Sequence, residues 1–400
     1  MRRIMVGSAA RALGAAESVR EGDYSRFVPE LLPTTGVLDP LMVNRSQAPT
    51  DRSHGPAAPV LQGAWLTRGE EGRFSAYLPR EGEVVRWTEE PGGGWSGPVS
   101  LGGDGLTPFL AVGQGADRYV HLVGLRPTGG DEGHVELVHA VQFQTGRPAA
   151  PWRPLGHSNG KGPWTGNPAV AVDAQGRVYV FMRNSGGGIS VRAQKDQGGW
   201  HPWWDLMGSK TDPSPVAVTN GSGLVELYSS HAKGLVRYVQ REAGAKPVRE
   251  ELLPASVTMG TLAAVAGPSG HVTLFYLDQE GQVMAWSPER SLEPTPLGKA
   301  VGTGRLSVTR CLIDGFDCTV LAQQSEDGRL ALAAYPSEQE TEGLSWSETG
   351  ERQGNLDTVL TRGLDGGLVA MAVSDGRVPV TTRQKVGAEG LLLEGWRSIG

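Results

Sequence analysis

Three tryptophans and a histidine crowd into a short stretch at Trp200, His201, Trp203 and Trp204. Flat indole rings beside a hydrogen-bonding group suit a ligand with both a C–H face and hydroxyls, and sugars have both. Trp95 offers the same chemistry earlier in the chain. These residues also have a plainer use, because a tryptophan recurring at one position of a repeat supplies apolar area between neighbouring sheets. Trp203 and Trp204 are adjacent, so in an extended segment they point to opposite faces and one of them is expected at the surface. His121, His134, Glu136 and His139 form a second constellation of metal-ligand types. In a strand, His134 and Glu136 share one face and His139 takes the other, which argues against a three-ligand metal site and for satisfied or surface histidines. Asp205, Asp212, Tyr228 and His231 are acid–base types that no spacing pairs. Nucleophile-elbow, zinc-protease, phosphate-loop and dinucleotide signatures are all missing from the sequence. No metal and no cofactor is expected.

What must position these side chains is a repeat. Residues 167–208 hold alternating apolar runs separated by glycine-containing turns, and alternation at period two marks strands with one buried face. A turn glycine followed by such a run recurs at Gly82, Gly133, Gly188, Gly234, Gly281, Gly328 and Gly376, in steps of 51, 55, 46, 47, 47 and 48 residues. A second ladder runs through Gly72, Gly176, Gly223, Gly270, Gly315 and Gly367, with Arg118 at the matching place in the second unit. Most units close on a Trp, a few residues and a Gly, as at Trp95 to Gly102, Trp152 to Gly156, Trp200 to Gly208, Trp346 to Gly350 and Trp396 to Gly400. The fourth unit departs furthest. One four-stranded antiparallel sheet cannot bury both its faces, whereas sheets stacked in a circle cover one another. The spacing therefore predicts an all-β fold, a seven-bladed β-propeller over residues 57–400. Its blades fall at about 57–106, 107–166, 167–211, 212–259, 260–302, 303–354 and 355–400. Residues 1–56 read as an extension, with a short amphipathic helix through Val6, Ala10, Leu13 and Ala16 and then a Pro-rich extended stretch from Pro29 to Pro59.

In such a ring the turn from one blade to the next delivers the start of each innermost strand to one mouth of the central channel. Those positions are Thr107, Asn167, Asp212, Thr261, Arg305, Asn355 and Asp357, polar and different from blade to blade. They suit either one asymmetric ligand site or a hydrated channel mouth with local turns. Bulk properties narrow the partners. The net charge is −6 and no basic stripe exists to neutralise phosphates, so nucleic acid is not expected as a partner. No apolar run approaches the roughly 18 residues of a membrane span. The first residues do not develop into a signal peptide, since Arg11 and Glu17 interrupt the stretch, and a cytoplasmic location is expected. Cys311 and Cys318 flank Asp314-Gly315, where a tight hairpin places them opposite each other as reduced thiols.

The run Pro168-Ala-Val-Ala-Val-Asp-Ala-Gln-Gly-Arg-Val-Tyr-Val-Phe181, closed by Gly-Gly-Trp200-His-Pro-Trp203-Trp-Asp-Leu-Met-Gly, resembles the repeat of bacterial seven-bladed propeller lectins of the Photorhabdus lectin type. The segment Pro91-Gly-Gly-Gly-Trp95-Ser-Gly-Pro-Val-Ser-Leu-Gly-Gly103 is similar to that family's loop between third and fourth strands. The resemblance implies metal-free binding of fucose or methylated sugars between blades. Two further readings stand beside it. One is a cofactor-independent intracellular isomerase, cyclase or lyase with its site at the channel mouth. The other is a protein-interaction platform.

Overall fold

A computed structural model describes residues 60–129, 133–159, 162–374 and 378–400. The helix and the extended stretch expected before residue 60, and Gly376, lie outside the described residues. The rest is a ring of seven antiparallel blades. The first blade contains Leu66–Arg68, Phe74–Arg80, Glu83–Glu89 and Trp95–Ser100, from the channel outwards. The second contains Phe109–Gln114, Val120–Pro127, His134–Gln142 and Arg153–Gly156, and the third Ala169–Val172, Val178–Arg183, Ile189–Ala193 and Trp204–Asp205. In the fourth, the outermost position after Val216–Thr219, Val225–His231 and Gly234–Val239 is split between two fragments, Val248–Arg249 and Leu253–Pro254. This is the unit whose closing pattern is weakest in the sequence. The fifth to seventh blades run through 263–299, 307–349 and 356–398. Among the described residues the one helical element is a 3-10 turn, Glu340–Glu342.

The described glycines of both ladders fall at the turns. Gly72, Gly176, Gly223, Gly270 and Gly315 end the inner strands, and each has φ between +76° and +89°. An L-residue takes such a φ only at a cost, so the spacing of the turns is written in glycine. Two rungs sit one residue from the expected place: Gly187 rather than Gly188, and Gly366 rather than Gly367, carry the positive φ. In the second blade Arg118 itself adopts φ +66°.

The core lies between blades. One buried cluster joins the second and third blades through Val123, Leu137, Leu155, Val170 and Val180, with Trp200 and Trp203 packed on its edge. The outer-strand tryptophans also reach back to the preceding blade. Trp152 Nε1 donates to Leu101 O at 2.9 Å, Trp203 to Leu155 O at 3.2 Å, Trp346 to Lys299 O at 2.9 Å and Trp396 to Thr349 Oγ1 at 3.0 Å. Each indole thus buries its ring and satisfies its one donor in the same contact. A second staple is made by glutamines. Tyr77 of the first blade donates to Gln142 Oε1 of the second, and Gln240 Nε2 of the fourth donates to the Tyr179 hydroxyl of the third at 2.6 Å.

The ring closes without exchanging a strand, since the four strands of the seventh blade come from one segment. Val359, Val369, Met371 and Ile399 pack against Trp65, Phe74 and Trp87 of the first blade. Arg383 pairs with Glu89 across this seam and lies over the Phe74 ring at 5.1 Å. One element was not foreseen. Val60–Gly63 is not part of the first sheet; it runs parallel to Phe109–Gln114 and adds a strand to the channel side of the second blade. Gly63, at φ +73°, then passes the chain to the first blade. This lead-in strand crosses the lumen: Gln62 Nε2 reaches Pro215 O of the fourth blade, and Arg305 Nη1 of the sixth donates to Leu61 O at 3.2 Å.

Candidate functional site

The aromatic cluster expected to hold a ligand is mostly inter-blade packing. Trp95, Trp200, Trp203 and Trp204 are each partly buried. Trp203 packs towards the second blade and Trp204 towards the fourth, as opposite faces of one strand require. His201 tilts against Trp204 at 4.6 Å between ring centroids. Trp200 meets His139 edge-on at 5.2 Å. Beneath it, His121 Nδ1 and His139 Nε2 are 3.1 Å apart, with rings stacked at 5.4 Å. Burial, reinforced at His121 by its neighbour, pulls the two imidazoles down to about 3 and about 4. They are neutral at physiological pH. Glu136 instead pairs with Arg126 at 2.7 Å, and among the described residues no group of three or more His, Cys, Asp or Glu could hold a metal.

The channel-mouth residues separate into three environments. Asp212 is buried, and its carboxylate accepts the Ser214 N–H at 2.7 Å and the Gly260 N–H at 2.9 Å. Thr261 is buried and bonds within its own turn to Thr258 O at 2.7 Å. Thr107 and Asn167 border an apolar recess of about 580 Å³ at the second blade, with Phe109, Val135 and Trp164. Trp164 is 51% exposed, and the sequence reading passed over it. Arg305 and Asp357 lie together in a slot of about 290 Å³ between the lead-in strand and the inner strands of the fourth to seventh blades, while Asn355 is exposed beside it. Arg305 is open to solvent within the lumen yet ringed by protein. Loss of hydration lowers its pKa against the opposing pull of Asp357 and Asp212. The same loss of hydration raises the Asp357 carboxyl to about 6, with Arg305 opposing.

A further groove opens at the other end of the ring, between the first and second blades, with a volume of about 510 Å³. Its rim is Tyr119 and Phe143, packed edge to face with centroids 5.0 Å apart and planes at 89°. The register makes this pair: Val120 lies opposite Gln142, so Tyr119 and Phe143 meet one rung beyond the ladder. Both rings stay open to solvent, 39% and 51% exposed. The loop carrying Phe143 and Arg147 is tied from below, where Arg86 donates to the Gly146 and Arg147 carbonyls and Gln142 Nε2 donates to Arg147 O. Around the rings stand Glu70, Arg118 and Arg147, whose charged ends make no hydrogen bond or ion pair among the described residues. Exposed ring faces beside uncommitted donors and acceptors can hold a polyhydroxylated ligand, with its C–H face on the aromatic pair and its hydroxyls on the charged groups.

No protein-family model matches the chain, and no curated protein matches it by sequence. Solved structures do. The BP39L lectin from Burkholderia pseudomallei superposes with a TM-score of 0.65 at 15% identity, over 86% of this chain and 99% of the lectin. A protein from Lactobacillus plantarum gives 0.53 at 13% identity, over 81% of this chain and 95% of that one. At such identities the likeness establishes a shared fold: this chain is a seven-bladed propeller, and one of its fold neighbours is a lectin.

Proposed function

We propose that the protein is a lectin-like carbohydrate-binding propeller whose sugar site is the groove between the first and second blades. The observation that carries this reading is the Tyr119–Phe143 pair, left exposed beside the uncommitted Glu70, Arg118 and Arg147. A sugar ring presents a C–H face and hydroxyls together, which match an exposed aromatic face beside hydrogen-bonding groups. A lectin among the fold neighbours supports the same assignment. The site differs from the one the repeat suggested. The conspicuous tryptophans pack between blades, and the proposed binding groups stand on turns within the first and second blades, at the end of the ring opposite the inter-blade turns.

The test is a glycan panel containing fucosylated and methylated sugars, followed by titration of the best ligand against Tyr119→Ala and Arg118→Met. Each side chain is at the surface, so the fold is expected to survive. Loss of a stacked ring or a charged hydrogen bond, worth about 1.5–2 kcal/mol, weakens binding roughly 10- to 30-fold. A blank panel, or a ligand whose affinity neither substitution changes, removes the proposal.

A further inference from the structure

The slot beside the lead-in strand is built differently from the sugar groove. We propose that it is a second ligand site, shaped for a small α-hydroxy or α-amino acid on a short aliphatic frame, with Arg305 receiving the carboxylate and Asp357 the neighbouring hydroxyl or ammonium.

Among the described residues, Arg305 and Asp357 are the only charged side chains lining this slot. Among the described residues the Arg305 guanidinium makes one hydrogen bond, to Leu61 O, and the Asp357 carboxylate makes none. Each influences the other through space, and no ion pair joins them among the described residues. Arg305 is exposed and Asp357 half-buried, so both keep hydrogen-bonding capacity that a ligand entering the slot can take up. A guanidinium with free N–H groups presents a planar fork that matches a carboxylate, and a carboxylate with free lone pairs takes O–H or N–H donors. A ligand carrying both groups on adjacent atoms satisfies both residues at once.

The separation of the two charges is set by consecutive glutamines at the end of one strand, Phe316–Gln324. Gln323 is 1% exposed. Its Oε1 accepts the Val301 N–H at 3.2 Å, and its Nε2 donates to Gly302 O at 3.0 Å and Gly304 O at 2.8 Å, which fixes the loop that presents Arg305. Gln324 turns to the opposite side, as strand alternation requires. Its Oε1 accepts the Leu356 N–H at 3.1 Å and its Nε2 donates to Gly354 O at 2.5 Å, which fixes the stretch before Asp357. One strand end thus places both charges. Small aliphatic side chains, Ala217, Ala263, Ala264 and Val308 among them, line part of the slot, and Ser307 and Thr358 interrupt them. A cavity of about 150 Å³ holds benzene, so 290 Å³ admits a branched chain of a few carbons with its polar head.

The experiment is calorimetric titration of the whole protein with four probes of one carbon frame: 2-hydroxy-3-methylbutanoate, valine, 3-methylbutanoate and 2-methylpropan-1-amine. Binding of the hydroxy acid or the amino acid is expected, with the simple acid at least tenfold weaker and the amine without measurable binding. Arg305→Lys keeps the charge, loses the fork and is expected to weaken the bound probe at least tenfold; Asp357→Asn is expected to erase the preference over the simple acid. Arg305→Met removes the charge for comparison, and the unchanged parent protein decides the matter if that variant does not fold. The proposal is overturned if none of the probes binds the parent at millimolar concentration, or if Arg305→Lys binds as the parent does. It is also overturned if Tyr119→Ala abolishes binding of the probe, which would place it in the sugar groove.

Discussion

Lowering the pH from 8 to 5 tests the buried His121–His139 pair. In the unfolded chain both imidazoles protonate near 6.5. In the fold they resist protonation down to about 3 and about 4, because burial, and at His121 also the second ring, disfavours the cation. A base whose folded pKa is depressed gives stability that is fully present above 6.5 and is lost as pH falls through the window from 6.5 to the folded values. At pH 5 the folded pair is still neutral while the unfolded chain has gained two protons. Each proton favours unfolding by 1.5 pH units at about 1.4 kcal/mol per unit, so the pair accounts for about 4 kcal/mol. The assay is urea unfolding at both pH values for the parent and for His121→Leu/His139→Leu. Carboxylates such as Asp357 titrate in both proteins and cancel in the comparison. The parent is expected to lose about 4 kcal/mol more than the variant, and His139→Leu alone about half of that difference. Equal losses in parent and double variant would refute the reasoning.

Three further outcomes follow from the packing. Arg383→Met is expected to cost about 1–3 kcal/mol in chemical unfolding, because Glu89, 8% exposed, loses its partner across the seam. The same change at Arg352, in an exposed pair with Asp327, is expected to stay within about 0.5 kcal/mol. Gly63→Ala is expected to destabilise by more than about 2 kcal/mol, read from the melting temperature, since φ is +73° and the new Cβ would lie 2.2 Å from Val112 O. Cys311 and Cys318 are buried, and burial lifts their thiols to about 12 and about 11. A thiol reagent at pH 8 is therefore expected to label neither in the native protein and both in denaturant.

The blades were legible because a turn that needs positive φ leaves a glycine behind, and seven turns leave a ladder. Where Gly187 and Gly366 stand in for Gly188 and Gly367, either of two adjacent glycines can make the turn, and spacing alone does not choose. The hairpin around Asp314-Gly315 set Cys311 opposite Cys318, as local geometry allowed. The lead-in strand left no such trace. Val60–Gly63 is four residues long, too short to show a period, and its partner begins at Phe109 in a parallel pairing that no turn announces. The candidate sugar groove was hidden for a related reason. Tyr119 and Phe143 meet only through the exact register of a long hairpin, and neither sits at a repeated position. Conspicuous repetition pointed to Trp200 and Trp203, which is where a repeat must spend its largest apolar side chains. Arg305 and Asp357 were reached by a different route, from the topology of the ring, and they do share one slot.

The lead-in strand also makes the ring mechanically lopsided. The first and second blades are linked by the chain and by a parallel ladder laid across their boundary, whereas among the described residues the seventh meets the first through side chains alone. Strain that spreads the circle is therefore borne by a fused two-blade wedge on one flank of the gap and by a single blade on the other. Opening is expected to begin at the seventh blade, read as loss of hydrogen-exchange protection in the carboxyl-terminal strands before those of the first blade.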